Sequence, residues 1–380
     1  MERFRAPPDE PKEFAAYIRS EMEKWGKVIQ TAGVNNDQSP KPAQTKKEET
    51  MKLAKLSVIL GIAVLTAGLW PAAAGAQQKP VTIRLGHVGF PGSIFDIVSN
   101  KFAADVNAAL KGKVEVKVFH SSQLGSDEQM IKGIRVASPE MVAPSTVMST
   151  VDQRYGVFEM PYLIVNRTHM KKVADNKQVQ KALFDPMPAR GIRVLAVWEN
   201  GFRHITNNRR PIKVPGDLND IKLRVPGGVW RVKMFKAYGA NPSPMPFSEV
   251  YSALQQGVMD GQENPFPQIW SAKFHEVQKY LSLTGHVYTP AYLIVNEDFW
   301  KKLPKDVQDT LSRIAGETGD FARSEGDRLD RELESKLAPP MKSNQPDKEA
   351  FIKASASVYE EFGKQISGGA ELIKTVQTLR

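Results

Sequence analysis

Between residues 221 and 265 short apolar runs alternate with sharp bends, and polar groups sit at the bends. Ile221 to Val225 reads as a strand that carries one arginine, Arg224, inside an otherwise apolar run. Pro226-Gly227-Gly228 ends that strand. Val232, Phe235 and Tyr238 then recur at helical spacing, and the prolines of the stretch 242–247 hold it extended. Ser248 reads as the cap of a helix over 249–256 that Gly257 stops. Asp260-Gly261 turns the chain into Gln262-Glu263-Asn264-Pro265, so that Asp260 and Glu263 read as groups orienting a loop. Rigid elements joined by short polar bends constrain the chain to an α/β frame with a cleft at the bends.

Arg224 is the leading candidate within that cleft. A guanidinium at a strand end offers a planar fork of donors that fits a carboxylate with two parallel hydrogen bonds. The same group would equally serve a structural ion pair with a nearby acid. Arg203 follows a predicted strand over 192–198 and a glycine, about twenty residues earlier. The two arginines could share one anion, or Arg203 could close an interdomain ion pair. Upstream, a strand over 81–86 leads into the glycine-rich loop 87–92, and Ser93 caps a helix running to about 110. A loop at that edge of an α/β sheet faces ligands, and the following helix N-terminus favours anions. His87 lies in this loop, either touching a ligand or idle.

Further strands are expected over 114–119, 278–283 and 291–296, with helices over 126–136, 168–184 and 306–337. The last spans over forty ångströms at ~1.5 Å per residue and should reach across both domains. The sequence 161–166, PYLIVN, is echoed by AYLIVN at 291–296, which suggests two buried strands.

Composition removes several classes of function. With 380 residues the chain can hold two domains with cores. It has no cysteine, hence no disulfide, thiolate nucleophile or zinc–sulfur site. Its formal charge of +10 is spread among interleaved acids, with no nucleic-acid-binding motif. The nucleophile elbow, the H-E-x-x-H zinc motif, the phosphate loop and the dinucleotide fingerprint are all missing, and the six histidines form no close pair. Neither a metal nor a cofactor is expected, and the weight shifts from enzyme to binding protein.

Residues 51–76 read as a secretory signal peptide: a positive start at Met51-Lys52, an apolar run over 56–69, and Ala74-Gly75-Ala76 as the cleavage site. Residues 1–50 then read as a spurious or fused upstream extension. Its segment FAAYIRSEMEKWGKVIQTAG resembles the last helix of tripartite tricarboxylate receptor proteins.

The stretches SSQLGSDEQMIKG at 121–133, GFRHITNNRRPI at 201–212, LNDIKLRVPG at 218–227 and GANPSPMPFSEVYSALQQGVMDGQENP at 239–265 carry a specific resemblance. From 81 to 380 the chain resembles the substrate-binding proteins of TRAP (tripartite ATP-independent periplasmic) transporters. The resemblance implies a type II-like periplasmic binding fold, with two α/β domains, crossing hinge strands and a long bracing helix. The domain boundaries expected are 77–200 with 290–329, and 201–289 with 330–380. It implies a periplasmic monomer, not an enzyme, that captures an organic acid for the small and large membrane subunits of a sodium-driven permease. A binding protein feeding a sensor is the alternative, and a secreted enzyme on the same frame a more remote one.

By the same resemblance Arg224 clamps the ligand carboxylate, Phe247 and Asn264 line the ligand, and Arg203 supplies a second polar contact. The loop at 142–145 reads Val-Ala-Pro-Ser and lacks the acid that sialate-type members carry, leaving Ser145 as its polar group. Trp230, next to the Pro-Gly-Gly turn, either walls the ligand or packs the domains. Phe90 and Trp198 are weaker candidates of that kind, and Tyr288 offers a hydroxyl.

Overall fold

The computed structural model describes residues 79–380. The signal peptide read over 51–76 and the extension over 1–50 lie outside them. In chain order, strand β1 (Val81–Gly86) leads to helix α1 (Ile94–Ala109), strand β2 (Val114–Phe119), helix α2 (Asp127–Ile134) and the two-residue strand β3 (Met141–Val142). Helix α3 (Arg167–Asp175) precedes β4 (Ile192–Phe202) and β5 (His204–Asn207). Then come β6 (Lys222–Val225), helix α4 (Val229–Ala237), β7 (Asn241–Pro244), β8 (Gly261–Asn264) and helix α5 (Phe266–Ser271). The chain closes through β9 (Tyr280–Ser282), β10 (Tyr288–Asn296), helix α6 (Glu297–Lys302), helix α7 (Lys305–Leu337), β11 (Lys342–Asn344) and three further helices.

These strands make two mixed sheets, ordered β2-β1-β3-β10-β4 and β11-β9-β5-β8-β6-β7. In the first, β1 runs parallel to β2 and β3, whereas β10 is antiparallel to β3 and β4. In the second, β6 is parallel to β7 and β8, and β5 is antiparallel to β8 and β9. One residue, Arg203, separates the end of β4 in the first sheet from the start of β5 in the second. Its N–H donates to Val287 O at 2.9 Å, one residue before β10, so the two crossing segments are tied together. All nine residues of β10 are buried, as an apolar strand covered on both faces must be. Its pairing with β4 shifts register at Thr289/Pro290, where proline has no N–H to give the ladder.

Helix α7 is the brace the periodicity calls for. Val307, Leu311, Ile314, Ala315, Thr318, Ala322, Leu329, Leu333 and Leu337 form its buried stripe. It packs along β4, and also meets α1 and α5. Small residues let it approach. A Cβ on Gly319 would stand 2.8 Å from Val197 O, and one on Gly326 would stand 2.1 Å from Glu199 Oε1. Glu199 cannot step aside cheaply: it is buried, paired with Arg167 at 2.6 Å, and accepts a hydrogen bond from Tyr288 at 3.0 Å. Trp198 Nε1 donates to Ala315 O at 3.0 Å, fixing strand to helix.

Several local expectations fail for identifiable reasons. The helix expected over 168–184 breaks at Asn176, whose side chain instead accepts from Gln178 N and Val179 N to start a second helix. Ser248 caps nothing. Phe247–Glu249 is a 3-10 turn that runs directly into a helix over Val250–Gln255 with no side-chain cap. The echo at 161–166 is not a strand: Tyr162 takes φ +59 and the residues after it are irregular until α3 begins.

The close approach of α7 yields a prediction. Gly326→Val should force Glu199 or the helix to move, lowering stability by about 1–3 kcal/mol as overpacking does. Urea denaturation of the variant checks this; an unchanged midpoint would mean that the approach is not tight.

Candidate ligand-binding site

Elements of both sheets converge on one cavity of about 40 Å³. From the first sheet come Val88 after β1, Phe95 of α1, Asp127 at the start of α2, and Ser145, Thr146 and Val147 after β3. The second sheet supplies Arg224 from β6, Pro226 just beyond it, Phe247 after β7 and Asn264 at the end of β8. Asn200 and Arg203 reach it from the crossing strand, and Gln268 from α5. Ligand sites of α/β sheets lie at such strand ends, and this one also sits where the chain changes sheets. A larger open groove of about 810 Å³ includes Tyr162, His204 and Arg380 and shares no lining residue with the cavity. The smaller cavity is the better candidate, because buried charge and unpaired polar atoms collect there.

Glu263 controls the charge around it. Arg203 Nε donates to Glu263 Oε2 at 2.5 Å and its NH2 group to Oε1 at 2.9 Å. Arg231 donates to the same carboxylate at 2.6 Å and also pairs with Glu159. His286 Nε2 lies 3.1 Å from Glu263 Oε2. Burial alone would raise the Glu263 carboxyl, but Arg203 and Arg231 outweigh it and hold it well below the carboxylate range. Burial also lowers His286, to about 4, so it is neutral at neutral pH. Two guanidinium groups therefore face two carboxylates, and this set is balanced.

Arg224 lies outside the balanced set. It is buried, and its Nε and NH2 group donate to Met245 O at 2.9 and 2.5 Å. Its guanidinium lies 5.9 Å from the Phe247 ring centroid. Among the described residues no carboxylate forms a salt bridge with it. Burial first, and then the charge of Arg203, lower its pKa to about 10, which still leaves it protonated at neutral pH. A buried cation without a counter-ion is costly, and an anion in the cavity would supply the missing partner.

Of the residues singled out in the sequence, Arg224, Arg203, Asn264, Phe247 and Ser145 line the cavity. Phe90 packs at a tilt against Phe247, with centroids 5.9 Å apart, and is not itself part of the lining. Trp230 does not reach it. Its ring is fully buried against Phe362, 4.9 Å between centroids, and its Cδ1 would stand 2.2 Å from a Cβ on Gly156. Trp198 is likewise core, edge-on to Phe102. Tyr288 has committed its hydroxyl to Glu199. His87 is buried beside Phe95, outside the lining, and burial lowers it to about 4. Glu263 belongs to β8 and not to a turn.

Asp127, Thr146, Asn200 and Gln268 were not among the sequence candidates. Asp127 carried the one available signal, since it directly follows the cap Ser126, at a helix start beside a glycine turn.

The family model described as bacterial extracellular solute-binding protein, family 7, matches residues 85–365. The chain is 34% identical over 338 residues to the 2,3-diketo-L-gulonate-binding periplasmic protein YiaO of Escherichia coli, covering 87% of this chain and all of the relative. The fold is similar to the sugar acid binding protein of Advenella mimigardefordensis solved with galactonate. There the TM-score is 0.76 at 34% identity, over 79% of this chain and 98% of that one. It is also similar to a TRAP periplasmic solute-binding protein of Sulfurospirillum deleyianum solved with succinate, with TM-score 0.75 at 34% identity, over 80% of this chain and all of the other.

The pairing of Glu263 makes a testable demand. Because its pKa is depressed on folding, the stability it contributes is complete above the unfolded carboxylate value and is lost progressively as pH falls from there toward its depressed folded value. Glu263→Gln should cost about 3–5 kcal/mol at neutral pH, the usual penalty for stranding a buried partner. The gap between wild type and variant should narrow below about pH 4.5. Chemical denaturation across pH tests this; a gap that stayed constant would remove Glu263 from its central place.

Proposed function

The chain belongs to bacterial extracellular solute-binding protein family 7, and from that membership we propose that it captures an organic acid in the periplasm and delivers it to the two membrane subunits of a sodium-coupled TRAP permease. The observation that carries the reading is Arg224: a buried, protonated guanidinium lining a cavity, without a salt bridge of its own, while Arg203 and Arg231 beside it are paired with Glu263 and Glu159. A ligand carboxylate completes it with charge-assisted hydrogen bonds. The named ligands of the relatives, 2,3-diketo-L-gulonate, galactonate and succinate, differ in size and hydroxylation but share a carboxylate.

The cavity has room for only a few water molecules and its walls come from both sheets, so a ligand enters when the walls part. The crossing segments at Arg203 and at 284–287 are the natural hinge, and closure would then wrap the acid between the two sheets. Arg203 contributes one edge of the cavity while its charge stays with Glu263, which makes it a positioning group for the ligand. Phe247 offers an apolar wall and Asn264 a short polar one.

Arg224→Ala should weaken carboxylate binding by about 2–5 kcal/mol, the range for losing one partner of a buried charged pair. Without ligand, the same variant should stay within about 1 kcal/mol of wild type, because the removed guanidinium forms no salt bridge. Calorimetric titration with organic acids, alongside urea denaturation, separates the two roles. Normal binding in a folded variant would end the carboxylate-clamp reading. A large loss of ligand-free stability would make Arg224 a structural residue.

A further inference from the structure

Away from Arg224 the cavity wall changes chemistry. Three of its oxygens are buried and have no hydrogen-bond partner among the described residues: Asp127 Oδ1, Thr146 Oγ1 and Gln268 Oε1. The orientation of Gln268 follows from a chain of donors. Pro290 O is an acceptor, and Ser145 Oγ spends its proton on it at 2.7 Å. Ser145 must therefore accept from Asn200 Nδ2, at 3.2 Å, which fixes the Asn200 amide. Asn200 Oδ1 in turn accepts from Gln268 Nε2 at 3.3 Å. Gln268 is left with its carbonyl oxygen as the unpaired end, an acceptor that needs a donor.

Asp127 asks for the same. The residue as a whole is half-buried, but its Oδ1 is sealed from solvent. Burial, and after it the neighbouring Glu128, raise its carboxyl to about 7 against the pull of Arg224. An ionised second carboxylate could not satisfy all three groups. It carries acceptors alone, it would leave Gln268 Oε1 unpaired, and above about pH 7 it would face ionised Asp127 as a like charge. Hydroxyl groups can donate to Gln268 and Asp127 and can exchange a proton either way with Thr146.

We propose that the cavity is built for a hydroxylated monocarboxylate, with its carboxylate at Arg224 and its hydroxyls on Gln268, Thr146 and Asp127, and that Asp127 is the specificity-determining residue that rejects dicarboxylates. The proposal rests on the carboxylate reading of Arg224 and goes beyond it by naming the acid's class.

The test is calorimetric titration of the purified chain, freed of any co-purified ligand by unfolding and refolding. D-erythronate and D-galactonate are compared with succinate at about pH 8, where Asp127 is mostly ionised. At least one aldonate should bind about tenfold or more tighter than succinate, since like-charge contact in a buried site costs more than 1.4 kcal/mol. Asp127→Asn should shrink that preference about tenfold by relieving the succinate penalty. Gln268→Met, a second variant in case the first misfolds, should weaken aldonate binding about tenfold more than it weakens succinate binding. Equal binding of succinate and aldonates by wild type, or a preference that neither variant alters, would overturn the assignment while leaving the carboxylate clamp standing. No binding of any of these acids by folded protein would overturn both.

Discussion

The pairing of Glu263 with Arg203 and Arg231 is the interaction on which the rest of the site depends. Three arginines are buried near one cavity, and only an exact accounting of their partners distinguishes them. Glu263 and Glu159 match Arg203 and Arg231, while His286 stays neutral. Arg224 is the surplus. Its cost is tolerable because the surrounding frame fixes it and because binding can supply the partner, which is the sense of preorganisation. A protein selected only for stability would not retain such a group. Its presence where nine other lining residues are apolar or already hydrogen-bonded is a physical argument for a binding site.

The same accounting links the site to the motion of the fold. Arg203 is the single residue between β4 and β5, and it holds Glu263 on β8 while its N–H meets Val287. The electrostatic centre and the crossing between sheets are thus one place. Helix α7 packs on β4 through close glycine contacts, so in the proposed closure bending would fall on the short crossing segments.

The fold was largely legible in the sequence because long elements announce themselves by period. Helix α7 runs over Lys305–Leu337, close to the expected 306–337, since its apolar stripe recurs over nine turns. Short elements did not announce themselves. The pentapeptide Tyr-Leu-Ile-Val-Asn occurs at 162–166 and at 292–296, yet it is irregular in the first place and a central strand in the second. What both copies share is local: Asn166 and Asn296 each cap the following helix, accepting from His169 N and Phe299 N. Capping needs three neighbouring residues, whereas a strand needs partners that sequence position does not reveal. The cavity lining divides in the same way. Arg224, Phe247 and Asn264 lie on one continuous, recognisable stretch, and all three line the cavity. Of the two readings of Trp230, packing is the one its surroundings match: proximity along the chain to Arg224 says nothing of the helix face it takes, and that face packs on Phe362. Thr146, Asn200 and Gln268 come from three separate segments and acquire meaning only through the hydrogen bonds that join them.

The most direct test of the account is a crystal structure of the protein with the organic acid it binds most tightly. A carboxylate should lie within about 3 Å of two Arg224 nitrogens, the bidentate geometry of such pairs, with the Arg203–Glu263 pair intact beside it. A ligand bound elsewhere, or a carboxylate held by Arg203 after displacing Glu263 while Arg224 stays uninvolved, would contradict it.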